Sequence, residues 1–258
     1  MKRELWNQNL QINFSPPWPC PTCAKGHLVL VPESLTYKER ANSKKERCDI
    51  DWDPEWIRYV FTAWLKCNND HCGEDVVISG IGEESNSNSE EETDWVPQFS
   101  PKHCLPMPDM FEIPQKCSEA IKNELRKAFA VFWSDHSASA SHIRASLERL
   151  MDHLKITATE KQKEKSKKPE LHKRIEVFKE TEPLIGSQLM SLKWLGNTSA
   201  HEGDVSREDV LDAFEILEHA LYELIERRSL KVGILAENLT YKHEPKTKLL
   251  AENEPPNF

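Results

Sequence analysis

Two pairs of cysteines, Cys20-Pro-Thr-Cys23 and Cys67-Asn-Asn-Asp-His-Cys72, have types and spacings suited to sharing one tetrahedral metal. Zinc takes four soft ligands at about 2.3 Å, and short cysteine hairpins pre-position two of them apiece. The expected cofactor is therefore one structural Zn2+ on Cys20, Cys23, Cys67 and Cys72, with no open position for catalysis at the metal. His27 and His71 lie beside the pairs as competing ligands. The other use of Cys-x-x-Cys, thiol redox chemistry, calls for a strand–turn–helix setting that this stretch lacks. Cys48, Cys104 and Cys117 have no close partner in sequence and read as ordinary thiols.

The second constellation is Lys193-Trp-Leu-Gly-Asn197-Thr-Ser-Ala-His201-Glu-Gly203, small residues around one Asn, one His and one Glu. A neutral histidine such as His201 can take a proton from a hydroxyl near neutral pH. The alternative is that Asn197 and His201 bind backbone groups and hold two helices together. Lys161 to Lys168, with Lys173 and Arg174 beyond, is the densest basic segment. It suits either a phosphate backbone or a solvated loop with interleaved glutamates.

These residues need elements to position them. From Cys20 to Gly80 the pattern is strand-like: Leu28–Val31, Arg58–Leu65 and Val76–Ile78 surround the cysteine pairs as three short strands. A sheet so small lacks a core of its own, and thiolate–metal bonds would replace it, as in a zinc ribbon. Trp6, Trp18, Trp52, Trp56 and Trp64 are expected to pack that ribbon. Residues 83–114 read as a linker, acidic through Asp94 and Pro-rich beyond. After Ser118 the apolar period becomes helical. Helices are expected through Ile121–Phe132, Ile143–Leu154, Ile175–Phe178 and Leu184–Leu195, the last ending at Gly196. A final one opens with Ser206 and Asp209 in capping-box relation and a Val205–Val210 staple. The expected class is α+β: ribbon at 1–82, linker at 83–114, all-α bundle at 115–228, and a weakly patterned tail at 229–258.

A chain of 258 residues with 38% hydrophobic content can build a real core. Its net charge of −9 opposes non-specific nucleic-acid binding by the whole surface. There is no signal-like start and no run near the roughly 18 apolar residues of a membrane span, so a cytoplasmic protein without membrane contact is expected.

The blocks Phe111–Pro114, Ala128–Asp135, Ile143–Leu150, Leu195–Glu202 and Val205–Asp209 resemble a bacterial family, that of domain of unknown function 4145. That family is similar to the all-helical HEPN superfamily (higher eukaryotes and prokaryotes nucleotide-binding) and is often preceded by a zinc ribbon. The resemblance implies a helical bundle, a homodimer formed through it, and anti-phage defence partners. Many HEPN proteins are metal-independent RNases with an Arg-Asn-x-x-x-His motif. Its Arg binds the scissile phosphate and its His assists the 2′-hydroxyl. Here Gly196 precedes Asn197, Lys193 is the nearest upstream cation, and Arg144 is the candidate from another helix. Two readings stay open: a binding or adaptor module for RNA, nucleotide or a defence partner protein, and an RNase using His201, Asn197, Lys193 and Arg144.

Overall fold

The computed structural model describes residues 1–89, 92–157, 170–201 and 205–244, except for the side chains of residues 87–94 and 199–201. The N-terminal part is a five-stranded antiparallel sheet: β1 Leu28–Leu30, β2 Thr36–Glu39, β3 Arg58–Cys67, β4 Asp75–Ser89 and β5 Glu92–Leu105. β3 is the axis. β4 runs along one edge of it, and β1 and β2 share the other, Leu28 opposite Cys67 and Thr36 opposite Thr62. Alternation along β3 buries Phe61, Ala63, Leu65 and Cys67 on one face.

β4 and β5 pair from Val77–Leu105 out to Ser89–Glu92. The acidic stretch expected as a linker from residue 83 is therefore a hairpin arm, and strand structure reaches Leu105. Ser, Asn, Thr and Glu alternate there with few apolar side chains, a composition that disorder and a solvated two-stranded ribbon share. Periodicity could not separate them.

A short α1, Arg3–Trp6, precedes the sheet, and α2, Ala41–Glu46, lies between β2 and β3. The helical part is α3 Glu119–Val131, α4 His136–His153, α5 Leu171–Thr181, α6 Pro183–His201 and α7 Arg207–Leu221, followed by a π-turn and α8 Arg228–His243. Local chemistry sets three of the helix starts. Ser118 caps α3 and Asp135 caps α4, each accepting from the N–H three residues on. Ser206 and Asp209 form the expected capping box at α7, with Val205 and Val210 both buried beneath it. Arg227 then adopts a left-handed φ of 49° and redirects the chain into α8.

Two expectations need correction. Gly196 does not end α6, which continues for another turn to His201. A Cβ on Gly196 would lie 2.4 Å from the Arg144 Cβ, so glycine here lets α6 approach α4. Nor do the N-terminal tryptophans serve a separate ribbon. Trp6 and Trp18 pack on Trp133 of the helical part, with ring centroids 5.8 and 5.1 Å away, while Trp56 and Trp64 stay partly exposed. Arg3 pairs with Glu208 and Asp212 of α7, and Arg207 donates to the Trp6 carbonyl. Phe111 joins Phe129 and Phe214 in edge-on contacts. One continuous core thus runs from sheet to helices. Each tryptophan or phenylalanine sealed into it contributes about 1.5–3 kcal/mol.

Candidate functional site

The cysteine quartet sits where β1 and β3 begin and end. Cys20 Sγ lies 3.7 Å from Cys72 Sγ, and Cys23 Sγ lies 3.7 Å from Cys67 Sγ. All four sulfurs lie within 4.8 Å of one another. Ligands at about 2.3 Å from a tetrahedral centre stand about 3.8 Å apart, so the spacing fits an ion of zinc's size. Backbone N–H groups of Thr22, Gly26 and Asn69 each point at a sulfur at 3.4 Å, on Cys20, Cys23 and Cys67 respectively. Such donors favour thiolates. The Gly26 and Lys25 N–H groups pull the Cys23 thiol down to about 6, whereas burial pushes Cys67 up to about 12. A cation at the centre would supply the charge that a buried thiolate needs. Gly26 is obligatory by space, since its Cβ would meet the Cys67 sulfur at 2.6 Å. His27 is exposed and held by Asn68, and neither it nor His71 belongs to the cluster. The residues can therefore hold a metal ion, and their all-sulfur donor set suits a soft one.

The second site is a cleft of about 390 Å³ between α4, α5 and α6. Arg144, Glu148, Glu170, His172, Lys193 and Asn197 are among its lining residues. The close approach at Gly196 sets its geometry: Arg144 Nε donates to Asn197 Oδ1 at 2.9 Å. A guanidinium thus stands beside Asn197 in space, delivered by α4. A side chain at 196 itself would point into α4 rather than into the cleft. Arg144 also pairs with Glu148 at 3.2 Å.

Lys193 differs from the other cations. It is 7% exposed, and no carboxylate approaches its Nζ within ion-pair distance among the described residues. Its nearest partner is the indole of Trp194, whose centroid lies 3.3 Å from Nζ. Burial and the neighbouring Arg144 push its ammonium below the usual lysine range. Arg174, also lining the cleft, is compensated: it donates to Asp152 at 2.8 Å and to the Ile156 carbonyl at 2.9 Å. His172 stands edge-on to Trp194 at 5.8 Å and reaches Glu176 at 3.3 Å.

Of the expected residues, the structure joins Lys193, Asn197 and Arg144 in one cleft. His201 closes α6 one turn beyond Asn197, but its side chain is outside the described residues, as is the whole Lys161–Lys168 segment. Sequence reasoning missed Glu148, Glu170, His172 and the cleft-side position of Trp194. A helical count through α5 placed Ile175 and Phe178 inward, but nothing local shows which residues of α5 face α6.

Comparison with known families divides the chain in two. Residues 126–253 match the model of a domain of unknown function (DUF4145), as the helical motifs implied. Residues 8–105 match a different one, also a domain of unknown function (DUF8608), and this match ends at the last residue of β5. No curated protein and no solved structure matches the chain.

Proposed function

We propose that this is a binding module of bacterial defence, a zinc ribbon fused to a HEPN-like bundle, that recognises a phosphate-bearing ligand, RNA or nucleotide, in the α4–α5–α6 cleft. Lys193 carries the reading. An ammonium held at 7% exposure against an indole, with Glu170 acting on it only from beyond ion-pair distance and no paired carboxylate among the described residues, is costly to bury. An anionic ligand would complete it. Arg144, oriented by Asn197, adds a directional donor beside it. Structural zinc on the cysteine quartet would fix the β1–β3 corner and takes no part in binding. The net charge of −9 confines nucleic-acid contact to such a local cationic site.

The placement of Arg144 against Asn197 also favours a second reading, a metal-independent RNase with His201 as general base. Under it, Arg144 would hold the phosphate and Asn197 would position Arg144. The partner in a homodimer is a second copy of the helical part. α8 supports this, because Leu230, Val232, Ile234, Leu235 and Leu239 all remain exposed along it.

The test is fluorescence anisotropy of labelled single-stranded RNA with the zinc-loaded protein, repeated with Lys193→Met and in EDTA-containing buffer. Salt-dependent binding that drops at least tenfold in Lys193→Met, with intact RNA recovered, is expected. Equal affinity in the variant would overturn the cleft reading. RNA cleavage that vanishes in His201→Ala would replace the binding module by the RNase.

A further inference from the structure

Trp194 is 54% exposed, although its α6 neighbours Leu189 and Leu192 are buried. Single apolar side chains on a surface are ordinary. Trp194 is set apart by what holds it, because two cleft-lining side chains grip its ring. Lys193 Nζ lies over the indole at 3.3 Å from the centroid, and the His172 imidazole stands edge-on at 5.8 Å from α5. Asn197, which accepts from Arg144, lies three residues on and so one helical turn away along the same side of α6. An oriented, half-exposed aromatic ring therefore borders a cationic cleft, with one lysine touching both.

We infer that Trp194 is a stacking platform for a nucleobase, so that the cleft takes one single-stranded nucleotide unit, its phosphate at Lys193 and Arg144 and its base against the indole. This rests on the cleft being an anion site. Every base has a π-face, so an exposed indole favours nucleotides without selecting among them. A base inside a duplex is already stacked on its neighbours and cannot lie on the ring, so single strands are favoured over duplex. The lysine links the two halves: its ammonium lies over one face of the indole at 3.3 Å from the centroid and also lines the cleft that would take the phosphate, so the base would use the opposite face. The ring is preorganised by His172 and Lys193 before any ligand arrives, which lowers the ordering cost of binding.

The test is calorimetric titration of the zinc-loaded full chain with inorganic phosphate, ribose 5-phosphate and AMP. Wild type, Trp194→Ala, Trp194→Phe and Lys193→Met are compared, with thermal melting to confirm that each folds. AMP is expected to bind about 5- to 100-fold more tightly than ribose 5-phosphate. That preference should disappear in Trp194→Ala and persist in Trp194→Phe, with AMP affinity falling in Trp194→Ala by a larger factor than ribose 5-phosphate affinity. Ribose 5-phosphate and AMP binding equally to wild type would overturn the platform while leaving the anion cleft standing. No binding of any phosphate, with Lys193→Met indistinguishable from wild type, would remove the cleft itself and the platform with it. Trp194→Ala that changes self-association but not the AMP preference would also overturn it, and would assign the ring to a protein contact.

Discussion

Replacing Gly196 by alanine probes the contact on which the cleft is built. The added Cβ would stand 2.4 Å from Arg144 Cβ, 3.0 Å from the Ala140 carbonyl oxygen and 3.1 Å from Arg144 Cδ. Carbon pairs rest at about 3.5–4.0 Å, so α4 and α6 must separate or tilt. The nearest obstacle is a Cβ fixed to its own backbone, not the free end of a side chain, and relief by rotation is unavailable. Overpacking of this kind costs about 2–3 kcal/mol, at the upper part of its usual range. Alanine returns about 1 kcal/mol through its better helix propensity. The net loss is about 1–2 kcal/mol, or a fall in Tm of about 2–8 °C for a domain of this size. Gly233→Ala on α8 is the control, since its Cβ meets nothing within 4 Å. It receives the propensity gain alone and should melt at or above wild type. The assay is thermal unfolding of the zinc-loaded protein at fixed concentration, with the three proteins run in parallel. Gly196→Ala melting as high as Gly233→Ala would refute the tight α4–α6 approach, and with it the structural reason for glycine at position 196.

Elemental analysis should find close to one zinc per chain, lost in a Cys20→Ser, Cys67→Ser double variant; metal content unchanged by the double substitution would rule out the quartet. Asp152→Ala strands the 5%-exposed Arg174 and should cost about 1–3 kcal/mol, discounted for the half-open carboxylate, whereas Arg174→Met removes the buried charge itself and should cost less. The reverse order in urea melts would contradict the account of that pair. Because burial and Arg144 lower the Lys193 ammonium, phosphate-ligand affinity should be full near neutral pH and fall as pH rises, before the roughly 10.4 expected of a solvated lysine. Lys193→Arg should abolish that dependence, and a wild-type affinity flat to high pH would count against the role given to Lys193. Leu235→Glu with Leu239→Glu should convert a homodimer to monomer in light scattering without lowering Tm beyond the dimer's own contribution; a wild-type monomer would leave the α8 surface to another partner.

Much of this architecture could be read from local pattern. The α3, α4 and α7 starts follow from Ser118, Asp135 and Ser206, because a cap is a bond between residues three apart and needs no knowledge of the fold. The cysteine quartet was legible for a related reason. Two short hairpins each hold two sulfurs, and only their mutual approach across β1 and β3 had to come from tertiary structure. The β4–β5 arm was not legible, since among the described residues its outer half pairs only with itself, and the sequence from Ser85 to Thr93 has no apolar side chain to show an alternating face.

The cleft failed to show for a different reason. The residues next to Asn197 in sequence include no arginine, and the guanidinium that meets its amide comes from α4, 53 residues away. Position 196 faces α4 at a distance that admits no side chain, so an arginine at that site could not share the α4 contact that Gly196 makes. Glycine at 196 and arginine at 144 are then parts of one arrangement. Removing the side chain from α6 brings the helices together, and the closeness puts Arg144 Nε on Asn197 at 2.9 Å. Lys193 lines the same cleft, 7% exposed, with Arg144 lowering its ammonium and Glu170 partly offsetting that. It follows that placing an arginine at position 196 would spread α4 from α6 and break the Arg144–Asn197 bond. Gly196→Arg should weaken phosphate binding instead of strengthening it. A gain in phosphate affinity would show that the charge at 196, and not the helix approach, governs the cleft.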